Sequence, residues 1–204
     1  MRLVIWKNSN SKRKEPILSH IVCPWWVGYI LLTPLRKLAH DPEKILGPHV
    51  IPGMKILEVG PAMGFFTLPL ARMVGESGRV ISVDVQEKMI SKLRKRAVKA
   101  GLLDRLDLRV CSNESLQIAD LSGQIDFTLA FAVIHEVPSP ESFLREIHES
   151  IRPGGMLLIS EPAGHVSQSD FAATEKAAVQ QGFVVVQRPQ VKRSLSVLMR
   201  KELT

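Results

Sequence analysis

The stretch Lys55-Ile-Leu-Glu-Val-Gly60-Pro-Ala-Met-Gly64 decides how this chain reads. An apolar run of strand length passes directly into a turn of small residues. Apolar residues at helical spacing follow (Phe65, Phe66, Leu68, Leu70 and Ala71), up to a stop at Gly75. A strand, a tight turn and a helix form the unit from which open parallel sheets are built, and such sheets bind ligands at their strands' carboxyl ends. Small residues in the turn let the backbone approach a bound molecule, while the helix start offers unpaired N–H groups.

The same alternation continues outward. Arg79–Asp84, Leu106–Cys111, Ile125–Phe131 and Met156–Glu161 read as further strands. Between them lie a helix carrying Met89, Leu93, Ala97 and Ala100 that ends at Gly101, and a helix opened by the cap pair Ser139-Pro140. Pro153-Gly154-Gly155 turns that helix into the fifth strand. A helix from about Ser169 to Gln181 precedes Phe183–Gln187 and Ser194–Met199, two strands too close for a helical crossover, which must therefore pair antiparallel. The reading is an α/β fold: a seven-stranded, mostly parallel sheet with an antiparallel terminal pair and helices on both faces.

Composition bounds the function. In 204 residues, 45% apolar and 23% charged, there is room for one sizeable α/β core and no signature of disorder. Two cysteines, Cys23 and Cys111, give neither a disulfide framework nor metal-ligand spacing, so no metal site is expected and a reducing, cytoplasmic setting fits. Twenty-seven basic against twenty acidic residues give a net charge of +7, which raises nucleic acid or an anionic surface as partners. The cations read as gathered at the two ends, at Lys12-Arg13-Lys14 and at Arg188, Lys192, Arg193, Arg200 and Lys201, rather than striped along one helix.

Asp84 ends the second strand about 20 residues after the turn, the spacing of a carboxylate that takes both ribose hydroxyls. Phe65 stands where a dinucleotide fingerprint has its last glycine, and no Gly-Lys-Ser/Thr follows to form a triphosphate loop. The Glu58 carboxylate would repel a pyrophosphate but suits a ligand carrying an ammonium and a sulfonium. Together with Asp84 and Pro153-Gly154-Gly155, this turn resembles the acidic-x-Gly-x-Gly-x-Gly signature of the class I S-adenosylmethionine-dependent methyltransferases, over roughly residues 45–200. Ala62 replaces the middle glycine, a modest departure if that residue keeps a negative φ. The resemblance implies a Rossmann-like fold, S-adenosylmethionine as cofactor, and cofactor contacts from Glu58, Gly60, Pro61, Ala62, Met63, Gly64, Phe65, Asp84, Val85, Asn113 and Phe131. Asn113 belongs to Cys111-Ser-Asn-Glu114, the stretch that meets the adenine in the family; a helix cap is the competing reading.

Ala130-Phe-Ala-Val-Ile-His135-Glu136-Val follows the fourth strand, where family members face the acceptor. The Asp/Asn-Pro-Pro-aromatic motif of nucleobase amino methylases is absent, which weakens the nucleic-acid reading. The segment is similar to the small-molecule branch, type 11-like, which includes quinone, sterol and arsenic methylases. Two distant cysteines fit arsenite poorly. His135 has the ordinary pKa of a general base, and Glu136 follows either to orient that imidazole or to contact the acceptor itself; the competing reading is a pair that only ties the loop down. Glu161 and His165 close the fifth strand on the same edge, either lining the acceptor pocket or, for Glu161, paired with an arginine. Residues 1–50 are expected to form a helical lid, with Pro16–Leu35 and its Trp25-Trp26 covering an apolar or aromatic acceptor or touching a membrane surface, and 51–204 the cofactor-binding domain. The expected activity is methyl transfer to a small molecule. The alternatives are an RNA or protein methyltransferase, marked by a basic groove beside His135, and a cofactor-binding protein without catalysis.

Overall fold

A computed structural model describes residues 40–203; the expected lid Pro16–Leu35 and the basic Lys12–Lys14 lie outside the described residues. The chain runs α1 (Pro42–Leu46), β1 (Lys55–Val59), α2 (Thr67–Met73), β2 (Arg79–Asp84), α3 (Glu87–Ala100), β3 (Leu106–Val110), β4 (Ile125–Phe131), α4 (Pro140–Ser150), β5 (Ile151–Pro162), α5 (Gln168–Gln180), β6 (Phe183–Gln187) and β7 (Ser194–Lys201). Seven strands lie in the order β3-β2-β1-β4-β5-β7-β6. The first five pair parallel, and β7 is antiparallel to both β5 and β6. The fold read from the sequence is the fold observed.

Alternation along the strands explains the two layers of helix. Ile56, Val80, Phe127 and Leu129 point to the face covered by Leu70 of α2 and by Leu93 and Ala97 of α3. Leu57, Val59, Ile81 and Val83 point to the opposite face, against Leu144 and Ile147 of α4 and Phe171 and Ala177 of α5. Glu58 and Ser82 fall on the first face in this alternation, paired in register across β1 and β2. Residues ahead of the sheet join the same core, since Leu46 and Val50 are buried against it.

The helix starts follow their caps. Ser139 Oγ accepts the Ser142 N–H at 3.3 Å with Pro140 next in line, and Ser167 Oγ accepts the Asp170 N–H at 3.1 Å. At the other end of α3, Gly101 takes the left-handed conformation at φ 65°.

Four details differ from the sequence reading. Helix α2 starts at Thr67, so Phe65 and Phe66 belong to the turn before it. Strand β5 starts at Ile151 rather than Met156: Ile151 pairs with Ile125 and Met156 with Phe127, and the residues between bulge out through Gly154 at φ 75°. Ala62 does not keep a negative φ but sits at 49°, a conformation that costs a residue with a Cβ about 1–2 kcal/mol. The cations are not confined to the chain ends, because Lys88, Lys92, Arg94, Lys95 and Lys99 all lie on the exposed side of α3. Their interleaving with the buried Met89, Ile90, Leu93 and Ala97 hid the stripe in the linear sequence.

Gly64 shows why the turn needs its glycine. Its φ is 85°, and a Cβ there would overlap Cδ1 of the fully buried Leu93. Gly64→Ala adds left-handed strain to overpacking between α2 and α3 and is expected to cost about 2–3 kcal/mol. A urea-unfolding midpoint unchanged from wild type would contradict that packing role.

Candidate active site

The carboxyl ends of β1, β2, β4 and β5 open into a cavity of about 880 Å³. That lies toward the top of the roughly 300–1,000 Å³ range of small-molecule sites. Glu58, Gly60, Pro61, Ala62, Phe65, Asp84, Val85, Asn113, Phe131, His135 and Glu136 all line it. Met63 and Gly64 are not among the lining residues. Met63 is buried and its carbonyl accepts a hydrogen bond from Arg96, while Gly64 faces Leu93.

The floor is built around two buried carboxylates. Glu58 is 2% exposed, and its Oε2 accepts the hydroxyls of Thr67 at 2.6 Å and Ser82 at 2.9 Å. This one oxygen ties β1 to β2 and to the first turn of α2. Asp84 accepts the Gln86 N–H at 2.8 Å on one oxygen and the Ala62 N–H at 3.3 Å on the other. The left-handed Ala62 therefore serves to aim its N–H at Asp84. Burial pushes the Asp84 carboxyl up to about 6; the two N–H groups oppose that shift and the charge of Glu136 adds to it.

Gly60, at φ 70°, lies against Val133, whose methyl group a Cβ would overlap. The backbone of the turn and the loop after β4 thus meet without a side chain between them. Asn113 caps no helix. Ser112 Oγ accepts the N–H groups of Glu114 at 3.3 Å and Ser115 at 3.1 Å, which makes residues 112–115 a turn with Asn113 exposed near its tip. Glu146 of α4 holds that turn in place, accepting the Ser115 hydroxyl at 3.0 Å and the Leu116 N–H at 2.9 Å. Cys111 is half-buried, and burial first and Asp84 second push its thiol up to about 11, so it stays protonated.

On the wall formed by the loop after β4, His135 Nδ1 is hydrogen-bonded to Oε2 of Glu161. A carboxylate only accepts, so Nδ1 carries the hydrogen and Nε2 is left as the basic nitrogen. Glu161 is 1% exposed, and its Oε1 accepts the N–H groups of Ile134 at 2.8 Å and Val133 at 3.2 Å. Glu161, not Glu136, is therefore the orienting carboxylate, and it is paired with a histidine rather than an arginine. Glu136 Oε1 lies 3.8 Å from Nε2, on the basic side of the ring. The His165 ring is centred 6.4 Å from that of His135 and also lines the cavity. The hydrogen bond to Glu161 holds the His135 pKa above 6.5, with burial opposing it.

Sequence reasoning did not reach Thr67, Ser82, Glu146 or the role of Glu161. The available signal was topological: β4 and β5 are neighbours, so a carboxylate ending β5 falls beside the residues that leave β4.

The charge of the lining is opposite to that of the chain. Glu58, Asp84, Glu114, Glu136 and Glu146 face the cavity, and Arg193 is its one arginine or lysine among the described residues. Among the described residues no basic groove flanks His135. A cationic ligand fits such a cavity, and a phosphate chain does not.

A methyltransferase-domain family model matches residues 51–197. The chain belongs to the class I S-adenosylmethionine-dependent methyltransferase family. This family member is 30% identical over 142 residues to a ubiquinone biosynthesis O-methyltransferase of Ruegeria pomeroyi, covering 69% of this chain and 53% of that one. It is 29% identical over 110 residues to a ubiquinone/menaquinone biosynthesis C-methyltransferase of Hydrogenovibrio crunogenus, covering 54% of this chain and 42% of that one. The chain thus spans about half the length of these curated relatives. Among solved structures it resembles a SAM-dependent methyltransferase from Aquifex aeolicus, with a TM-score of 0.78, 25% identity, and coverage of 88% of this chain and 99% of that one. The [4+2]-cyclase SpnF shares the fold at a TM-score of 0.68 and 15% identity, over 90% of this chain and 99% of that one. The cofactor of the family is S-adenosylmethionine.

The geometry at His135 gives a direct expectation. In Glu161→Gln the imidazole loses its charged partner while its burial remains, so its pKa should fall below the wild-type value. Histidine proton shifts followed by NMR across pH 5–9 measure this. His135 gains its partner on folding and has a raised folded pKa, so its stabilisation is complete below 6.5 and is lost as pH rises through that raised value. An identical titration in both proteins would contradict the pairing.

Proposed function

We propose that the protein transfers a methyl group from S-adenosylmethionine to a small acceptor with an apolar or aromatic body, and that His135 takes the acceptor's proton. The observation that carries this reading is the oriented His135–Glu161 pair on the wall of an acid-lined cavity of about 880 Å³. In this reading Asp84 holds the ribose hydroxyls, Glu58 and the turn Gly60–Ala62 receive the amino-acid end, and Asn113 and Val85 flank the base. When bound, the cofactor supplies a methyl group activated by a positive sulfonium.

The chain's own residues then have three tasks. Asp84 and Glu58 bind by charge and hydrogen bond, in a floor whose geometry is fixed before any ligand arrives. Phe65, Phe66 and Phe131 line the cavity and keep water from the reacting atoms. Nε2 of His135 accepts the proton of an acceptor hydroxyl, thiol or acidic carbon, and Glu161 stabilises the resulting imidazolium through Nδ1–H. Glu136 adds negative charge on the same side. An apolar acceptor is consistent with contact at a membrane surface. No helix among the described residues is long and apolar enough to cross a membrane.

Calorimetry with S-adenosylhomocysteine tests the floor. With Asp84 titrating near 6, affinity should drop about tenfold between pH 7 and pH 5 as the acceptor oxygens become protonated. Asp84→Ala should weaken binding by about 2–3 kcal/mol and flatten that pH dependence. Failure of wild type to bind S-adenosylhomocysteine would overturn the proposal.

Turnover tests the base once a screen of quinols, thiols and phenols supplies an acceptor. His135→Ala should reduce the rate by about 100- to 10,000-fold with cofactor affinity close to wild type. The wild-type rate should rise with pH through the raised pKa of His135 and then level, since only the neutral imidazole accepts a proton. Full turnover in His135→Ala would reduce the residue to a loop anchor and leave proximity as the source of catalysis.

A further inference from the structure

We propose that Arg193 receives an anionic group on the methyl acceptor, which makes the acceptor an acidic small molecule with an apolar body. This rests on the reading of the cavity as a methyl-transfer site and narrows its substrate class.

Three observations converge on this arginine. Arg193 lines the cavity, and its exposed side chain has no hydrogen-bond or ion-pair partner among the described residues. Arg109 is engaged with Asp107 and Asp120, Arg152 with Asp126 and Arg188 with Glu175, whereas the arginines without such partners other than Arg193 lie outside the cavity lining. Five carboxylates face the same cavity, yet none is paired with Arg193. A cationic cofactor accounts for the carboxylates but leaves the cation without a counterpart.

The backbone supplies the second observation. Arg193 sits at φ 58°, a conformation that costs any residue with a Cβ and costs glycine nothing. The Ala163 N–H donates to its carbonyl at 3.0 Å, and the Ser194 N–H closes the turn onto Val191 at 3.0 Å. A glycine would fill this turn without strain, and the chain instead holds an arginine there, at the cavity lining.

Position is the third. Asp84 ends β2, Glu58 lies on β1, His135 follows β4, Glu161 ends β5, and Arg193 precedes β7. With neighbouring strands about 4.8 Å apart, β7 lies about 19 Å from β2 and about 10 Å from β4. Arg193 is thus on the far side of His135 from the ribose-binding carboxylate, joined through Ala163 to the chain that carries Glu161 and His165. That is the end of the cavity left for the acceptor. With the phenylalanine-lined wall, it describes a compound with an apolar body, a carboxylate or similar anion against Arg193, and its reacting atom near Nε2 of His135.

The experiment uses full-length protein saturated with S-adenosylhomocysteine at pH 7.5. Benzoate, phenylacetate and 3-phenylpropionate are each titrated by calorimetry against their primary amides, which match them in shape and lack the charge. We expect at least one acid to bind about tenfold more tightly than its amide, and this preference to vanish in both Arg193→Gln and Arg193→Gly. S-adenosylhomocysteine affinity should stay within about twofold of wild type. Because glycine relieves the strained φ, Arg193→Gly should melt no lower than wild type, which separates lost recognition from lost folding. Acids that bind no better than amides at millimolar concentration, or a preference surviving both substitutions, would overturn the proposal. So would a loss of S-adenosylhomocysteine affinity in Arg193→Gly, which assigns the guanidinium to the carboxylate of the cofactor. If wild type fails to bind S-adenosylhomocysteine at all, the methyl-transfer reading itself fails, whatever the acids do.

Discussion

A buried carboxylate at the end of β5 organises the reactive edge of this molecule. Glu161 is removed from water, and an ionised carboxylate persists there only if its lone pairs are satisfied. It meets that demand with the N–H groups of Val133 and Ile134 on one oxygen and the ring of His135 on the other. The loop after β4 is thereby wound into a short turn over Ile134–Glu136, with the imidazole oriented as part of the same arrangement. Ala132, at φ 56°, absorbs the backbone change that starts the loop. Position and protonation of the histidine therefore follow from one electrostatic requirement, and that requirement depends in turn on β4 and β5 being neighbours.

Glu58 plays the corresponding role on the cofactor side. Its oxygen gathers Ser82 from the adjacent strand and Thr67 from the helix that the glycine turn launches, so the floor is rigid where a ligand would lie. Between these two anchors, Gly60 packs directly against Val133. Displacement of the β4 loop would then be felt in the turn, and the cofactor and acceptor halves of the cavity are mechanically continuous.

The two anchors were not equally visible in the sequence. Strand length, the turn Gly60–Gly64 and the short gap before β7 are local features, and the seven strands, the parallel run and the antiparallel terminal pair followed from them. Asp84 was legible because its spacing from the turn is fixed by one strand-turn-helix unit. Glu161 was not, because its partner lies 26 residues away and only sheet order brings them together. Glu136, adjacent to the histidine in sequence, looked the better partner, yet it lies 3.8 Å from Nε2, on the other side of the ring from the nitrogen that Glu161 holds. Ala62 was misjudged for a similar reason: its φ is set by the Asp84 carboxylate reaching across from β2. The Lys-rich face of α3 was hidden because helical spacing divides its cations among core positions.

Fold alone does not decide the chemistry here, since a [4+2]-cyclase shares the architecture. What distinguishes sites on this scaffold is the set of residues at the strand ends, and in this chain their charge runs against that of the whole. A protein of net charge +7 encloses a cavity faced by five carboxylates, two of them anchored on β1 and β2. Long-range attraction of the basic surface toward polyanions and short-range binding within the cavity are therefore separate properties. The cavity lowers the energy of a positively charged ligand and, through the charge it places beside Nε2, of the imidazolium that proton removal creates. The same field that favours the cationic donor thus favours the protonated form of the base after transfer, so binding and proton transfer are assisted by one arrangement of charge.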